Sequence, residues 1–222
     1  MSFGALDKDN NEDLISINSI EEAQCLIIEV LNYALGEHQS FKLVQRTFDE
    51  HKNCEVAQES HLQQGDCLEV MTNTLTYDLD YSSAQMIASS LSKNVRYVYY
   101  LEKNDATCKA VVKFVNQFMR FLTENHDISE AASIILRNLE LYWLPNNKFP
   151  YSFALFDRPV EANLDHCVFY FLRDGKKCKY IYETRLENGQ NEVAILSKVF
   201  KWFRHTYEKI DVQSIVDKYN NE

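Results

Sequence analysis

Downstream of Ser19, apolar residues recur at helical spacing: Ile20, Ala23, Ile27, Val30, Leu31 and Ala34 share one stripe. Ser19-Ile-Glu-Glu22 reads as a capping box, in which Ser19 accepts from the backbone N–H three residues on and Glu22 reaches back. Gly36 is a fitting stop. The spacing predicts an amphipathic helix that packs on something. Phe41 to Phe48 follows as an extended segment with Lys42, Gln45 and Arg46 among apolar residues. His51 to Gln64 looks helical up to the break at Gly65-Asp66, and Cys67-Leu-Glu-Val-Met-Thr reads as a buried strand with a polar, turn-forming exit through Asp80. Tyr81 to Ser92 restores a helical stripe through Ala84, Ile87, Ala88 and Leu91. Val95-Arg-Tyr-Val-Tyr-Tyr-Leu101 has the β-branched and aromatic content of a strand, and Asn104-Asp105 then caps a long helix from Ala106 to about Glu124.

Strands alternating with helices at this spacing predict βαβ crossovers, hence an α/β fold with a mainly parallel central sheet and flanking helices. After Asp127 the pattern changes. Ile128 to Leu144 predicts one helix with Ser129 as its cap, ended by Pro145-Asn-Asn. Three extended segments follow, Tyr151 to Phe156, Cys167 to Leu172 and Lys179 to Tyr182. The turn residues Asp174-Gly175 predict that the last two form a C-terminal antiparallel hairpin. A closing helix runs from Glu192 to about Lys209, with a short one from Val212 to Tyr219. Residues 1–17 are polar, acidic and without period and read as a disordered tail, which leaves 18–222 as a single α/β domain.

Composition narrows this picture. Five glycines and three prolines in 222 residues are far below the roughly 12% of an average chain, which excludes collagen-like and low-complexity architectures. Glycine occurs only at 4, 36, 65, 175 and 189, so no dinucleotide fingerprint or phosphate-cradling loop exists. The net charge is −10, so attraction to nucleic acid or to anionic membranes is not a property of the whole molecule. No apolar run approaches the roughly 20 residues of a membrane-spanning helix, and the amino terminus does not read as a signal peptide. A soluble, cytoplasmic protein is expected. The six cysteines are dispersed and read as reduced thiols, and Cys54, His61, Cys67 and His51 lack the ligand spacing of a structural zinc site. No cofactor or metal is called for. Thirteen tyrosines with Trp143 and Trp202 can furnish a homo-oligomer interface as well as a core.

Candidate chemistry follows from topology. In open parallel sheets ligands bind beyond the carboxyl ends of the strands, which selects Arg46 and Asp49 after the first strand, Asn73, Thr74, Tyr77 and Asp78 after the second, and Glu102, Asn104 and Asp105 after the third. The acids could hold a divalent cation or act as acid and base, while the plainer reading of Asp49, Asp78 and Asp105 is helix capping. No Gly-x-Ser-x-Gly elbow occurs, and His166 beside Cys167 is only an adjacency. A second candidate is the hairpin, where Arg173, Lys176, Lys177, Lys179 and Arg185 are interleaved with Tyr170, Tyr180 and Tyr182. Basic and aromatic residues together can bind single-stranded nucleic acid, although such a hairpin is more often a solvated tip.

The stretch from Cys67-Leu-Glu-Val-Met-Thr-Asn-Thr-Leu-Thr-Tyr-Asp-Leu through Ile87-Ala-Ser-Ser-Leu-Ser-Lys-Asn-Val-Arg-Tyr-Val-Tyr-Tyr-Leu resembles a unit of phospholipase D-like domains of bacterial proteins. The resemblance covers about residues 41–120. It implies an α/β fold and a place in a bacterial regulatory or defence system. The catalytic His-x-Lys of that superfamily is missing, because His166-Cys167-Val168 lacks the lysine, so the phosphodiesterase chemistry does not carry over. The expectation is a non-catalytic sensor or adaptor domain that binds a protein partner or small ligand. The alternative is a metal-assisted hydrolase or transferase acting on a nucleotide-like or phosphate ester substrate.

Overall fold

A computed structural model describes residues 17–35, 42–45, 59–72, 74–75, 78–145, 151–157, 166–171 and 180–221. In chain order the elements are α1 (Ile20–Leu35), β1 (Lys42–Gln45), β2 (Cys67–Thr72), α2 (Tyr81–Ser92), β3 (Arg96–Glu102), α3 (Asp105–Leu122), α4 (Ile128–Asn138), β4 (Leu139–Leu144), β5 (Tyr151–Asp157), β6 (His166–Phe171), β7 (Tyr180–Arg185), α5 (Leu186–Thr206) and α6 (Val212–Tyr219). The seven strands form one mixed sheet in the order β1-β7-β6-β5-β2-β3-β4. Crossovers through α2 and through α3 and α4 make β2, β3 and β4 parallel, while β5 returns antiparallel beside β2. The α/β class with flanking helices, a C-terminal antiparallel hairpin (β6 and β7) and a closing helix (α5) is thus the fold that forms, but the sheet is mixed rather than mainly parallel, its parallel part confined to β2, β3 and β4.

Because successive strand side chains point to opposite faces, β3 serves two cores at once. Tyr97, Tyr99 and Leu101 face one cluster with Ile87 and Leu91 of α2, Phe114 and Phe118 of α3, Ile135 of α4 and Val216 of α6. Val98 and Tyr100 face the other, with Ala23 and Ile27 of α1 and Leu196, Phe200 and Phe203 of α5. The sheet is therefore sandwiched between two helical layers. Among the described residues no helix is long and apolar enough to cross a membrane.

The opening of the fold departs from a simple βαβ series, since β1 pairs antiparallel with β7 at the far edge and takes no part in the parallel set. Periodicity marks an extended segment but carries no information on its partner. The expected helix over 128–144 is corrected to α4 followed directly by β4. Leu139 turns extended at φ −117°, ψ 121°, while its N–H still donates to Ile135 O. No glycine or proline separates the two elements, so a short apolar run fits both periods. The unpaired edge of β3 decides between them: Leu139 to Leu144 pair in register with Tyr97 to Glu102. Asn138 at the junction is buried and donates to Leu91 O at 2.9 Å, tying α4 to the end of α2.

The helix starts correct two further details. Asp127 rather than Ser129 caps α4, accepting from Glu130 N at 2.8 Å. At α1, Ser19 Oγ accepts from Glu22 N at 3.1 Å, but the Glu22 carboxylate receives the N–H of Asn18, at 2.7 Å. Beyond α5, the segment Glu208–Ile210 lies along the outer edge of β4: Trp143 N donates to Glu208 O at 2.9 Å and Ile210 N to Leu141 O at 2.8 Å. Covering that edge removes a template for unwanted strand pairing.

Candidate functional site

At the carboxyl ends of the parallel strands the described candidates are held apart. Thr74 is exposed in a tight turn, its backbone N–H donating to Thr72 Oγ1 at 3.3 Å while that hydroxyl donates to Thr74 O at 2.8 Å. Asp78 Oδ1 accepts from the buried Tyr99 hydroxyl at 2.9 Å. Burial, then the negative charge of Asp78, pushes the Tyr99 hydroxyl well above the ordinary tyrosine range, so it stays a donor. Capping of α2 falls to Asp80, which accepts from Ser82 N at 3.2 Å and Ser82 Oγ at 2.8 Å. Asn104 caps α3 through Thr107 N at 2.9 Å, leaving Asp105 as an exposed first-turn residue. Glu102 is buried, and strand alternation puts it on the Tyr100 side of the sheet, opposite Tyr99 and its partner Asp78. Arg46, Asp49, Asn73 and Tyr77 lie outside the described residues, as do Arg173, Lys176, Lys177 and Lys179 of the hairpin. Among the described residues no group of three or more His, Cys, Asp or Glu side chains is placed to hold a metal ion.

The sheet carries a polar network that the strand-end rule does not select. On the α1 and α5 side, Tyr100 donates to Glu69 Oε2 at 2.7 Å, its oxygen also lies 3.2 Å from Phe200 O, and Arg204 Nη2 of α5 sits 3.4 Å from Glu69 Oε1. Two strands away Glu140 accepts from Tyr142 at 2.8 Å and pairs with Arg96 at 2.9 Å and Lys209 at 3.3 Å. Burial, reinforced by Glu140, pushes the Tyr142 hydroxyl up to about 12. Burial also works to raise Glu140 itself, but Tyr142, Lys209 and Arg96 together outweigh it and hold this carboxyl below the usual range. On the opposite face Tyr97 donates to the buried Glu59 at 2.9 Å. Carboxylates inside otherwise apolar strands are the sequence signal for such a network, because a buried charge needs donors. Chemically these groups are committed: each tyrosine stays protonated at neutral pH, and the charges bind α5 and the Lys209 segment to the sheet.

Open concave surface lies instead on the helical layers. A groove of about 740 Å³ runs between α4 and α6, lined by Ile128, Ala132, Leu136 and Arg137 on one side and Gln213 and Asn220 on the other. Ile128 and Leu136, eight residues apart on one face of α4, keep 50% and 37% of their surface in solvent. A smaller cavity of about 560 Å³ lies at the amino ends of β2 and β3, between His61–Gln64 and Lys93-Asn94. Asn94 adopts φ 63° there, in the left-handed region that asparagine tolerates. No protein-family model matches the chain, and no curated protein matches it at a significant level.

Proposed function

We propose that this chain is a non-catalytic α/β adaptor domain that binds a protein partner through the helical layer formed by α2, α3, α4 and α6. The observation that carries the reading is the α4–α6 groove with its two solvent-exposed large apolar side chains, Ile128 and Leu136. Such side chains around a polar-rimmed concavity are what a protein interface uses. The hydrolase or transferase reading has less support: Asp78 is taken up by Tyr99 on one face while Glu102 lies on the other, so a single reacting atom cannot meet both. A bacterial regulatory or defence setting rests on the strand–turn–helix resemblance to phospholipase D-like domains.

The test uses the full chain and its Ile128→Glu/Leu136→Glu variant as parallel baits in lysate of the source cells. Each of these side chains is partly in solvent, so the variant keeps its fold. A protein retained by the wild type and lost by the variant is expected; identical retained sets overturn the proposal. The enzyme reading predicts a melting-temperature rise with Mg²⁺, Mn²⁺, Zn²⁺ or nucleotides, since ligands stabilise the state they bind.

A further inference from the structure

The outer face of α3 stands out in a chain with 33 acidic and 23 basic residues. Lys109, Lys113 and Arg120 are all exposed. At 100° per residue they fall within a sector of about 40°, and at 1.5 Å per residue they span about 16 Å of helix axis. None of the three makes an ion pair in the described structure. Asp105 is the one acid of α3 and lies at its amino end, about 40° outside that sector; Glu124 follows just past the carboxyl end, and the exposed positions of the neighbouring α2 (Tyr81, Ser82, Gln85, Ser89) carry no charge. Val112, 44% exposed, borders the stripe, and Tyr81, 58% exposed, stands edge-on to Phe121 at a centroid distance of 5.0 Å.

We infer that this face of α3 docks an acidic polypeptide segment of the partner, with Lys109, Lys113 and Arg120 meeting its carboxylates and Val112 meeting an apolar side chain between them. The inference rests on the reading of the domain as a protein-binding module and adds the chemistry of the partner. Unpaired cations on one helix face complement a run of carboxylates, and the net charge of −10 repels such a run from the rest of the surface, so the approach is oriented. The exposed valine favours a polypeptide over single-stranded nucleic acid, whose bases stack on aromatic rings but supply no aliphatic side chain to cover it.

The experiment is a fluorescence anisotropy titration of the full chain with a labelled dodecapeptide of repeating Glu-Glu-Leu, run beside a labelled oligo-dT of equal length. The wild type binds the peptide more tightly than the oligonucleotide. Lys109→Glu/Lys113→Glu/Arg120→Glu weakens the peptide by about tenfold or more, and Val112→Asp weakens it further, at unchanged melting temperature. If the charge-reversed variant fails to fold, the corresponding glutamine variant serves in its place. Absent peptide binding, equal affinity in wild type and stripe variants, or tighter binding of oligo-dT through the same three residues each overturns the inference. The protein-binding reading is tested separately through Ile128 and Leu136, so failure of that reading and failure of this inference are distinguishable.

Discussion

Tyr100→Phe isolates the hydroxyl that joins the middle of the sheet to Glu69. The ring itself is unaffected by the change: it stacks on Phe200 at 4.6 Å and on Tyr142 at 5.5 Å, and phenylalanine keeps both contacts. What is lost is a 2.7 Å hydrogen bond to a carboxylate that is 7% exposed. Bonds to charged groups contribute about 1.5–3 kcal/mol, and the carboxylate is left with one donor fewer in a site of low dielectric. The expected loss is about 2 kcal/mol, roughly thirtyfold in the folded-to-unfolded ratio and about 4–8 °C in melting temperature. Urea unfolding at pH 7 measures it as a lowered midpoint at constant slope. Glu69→Gln in the wild-type and Tyr100→Phe backgrounds closes a cycle, with a coupling of about 1–2 kcal/mol expected for groups in contact. Tyr81→Phe, on a ring 58% exposed, is the control at about zero. A loss in Tyr100→Phe no larger than that control would refute the view that this hydroxyl holds a buried charge.

Three further outcomes follow from the same structure. Ser83 is fully buried and its hydroxyl meets no hydrogen-bond partner, so Ser83→Ala raises stability by about 0.5–1 kcal/mol in thermal unfolding; a loss would show an unseen partner. Asp127→Ala removes the cap of α4 and costs about 1 kcal/mol, while Ser129→Ala costs little, and the reverse order in denaturant midpoints would reassign the cap. Because Tyr142, Lys209 and Arg96 hold the Glu140 carboxyl below its ordinary value, its stabilisation is complete above the unfolded-state value and is lost as pH falls through the folded one. The stability gap between wild type and Glu140→Gln therefore narrows from about pH 5 downward, and a gap constant to about pH 2.5 in acid titrations contradicts the assignment.

Local pattern made most elements legible. The stripe of α1 is legible from its period, β3 from its β-branched and aromatic content, and the Asn104 cap of α3 from the residue type ahead of the helix. The junction at Asn138 was not legible, because Ile134 to Leu144 satisfies helix and strand spacing about equally and only the free edge of β3 settles it. Asp78 reads as a strand-end ligand or a cap in sequence, yet its partner is Tyr99, on a different element 21 residues away. Glu69 and Arg204 are separated by 135 residues, and no spacing rule reaches that far. The cations of α3 are visible as soon as the helix is recognised, but their lack of ion-pair partners is a fact of packing.

The reading to be tested is that the helical layer binds a protein partner and does so without the strand-end acids. Quantitative comparison of proteins retained by four baits tests it most directly: wild type, Ile128→Glu/Leu136→Glu, Lys109→Glu/Lys113→Glu/Arg120→Glu, and Asp105→Ala. The account predicts a partner held by wild type and by Asp105→Ala and released by both helical-surface variants. Retention by the two surface variants, or loss on Asp105→Ala alone, would contradict it.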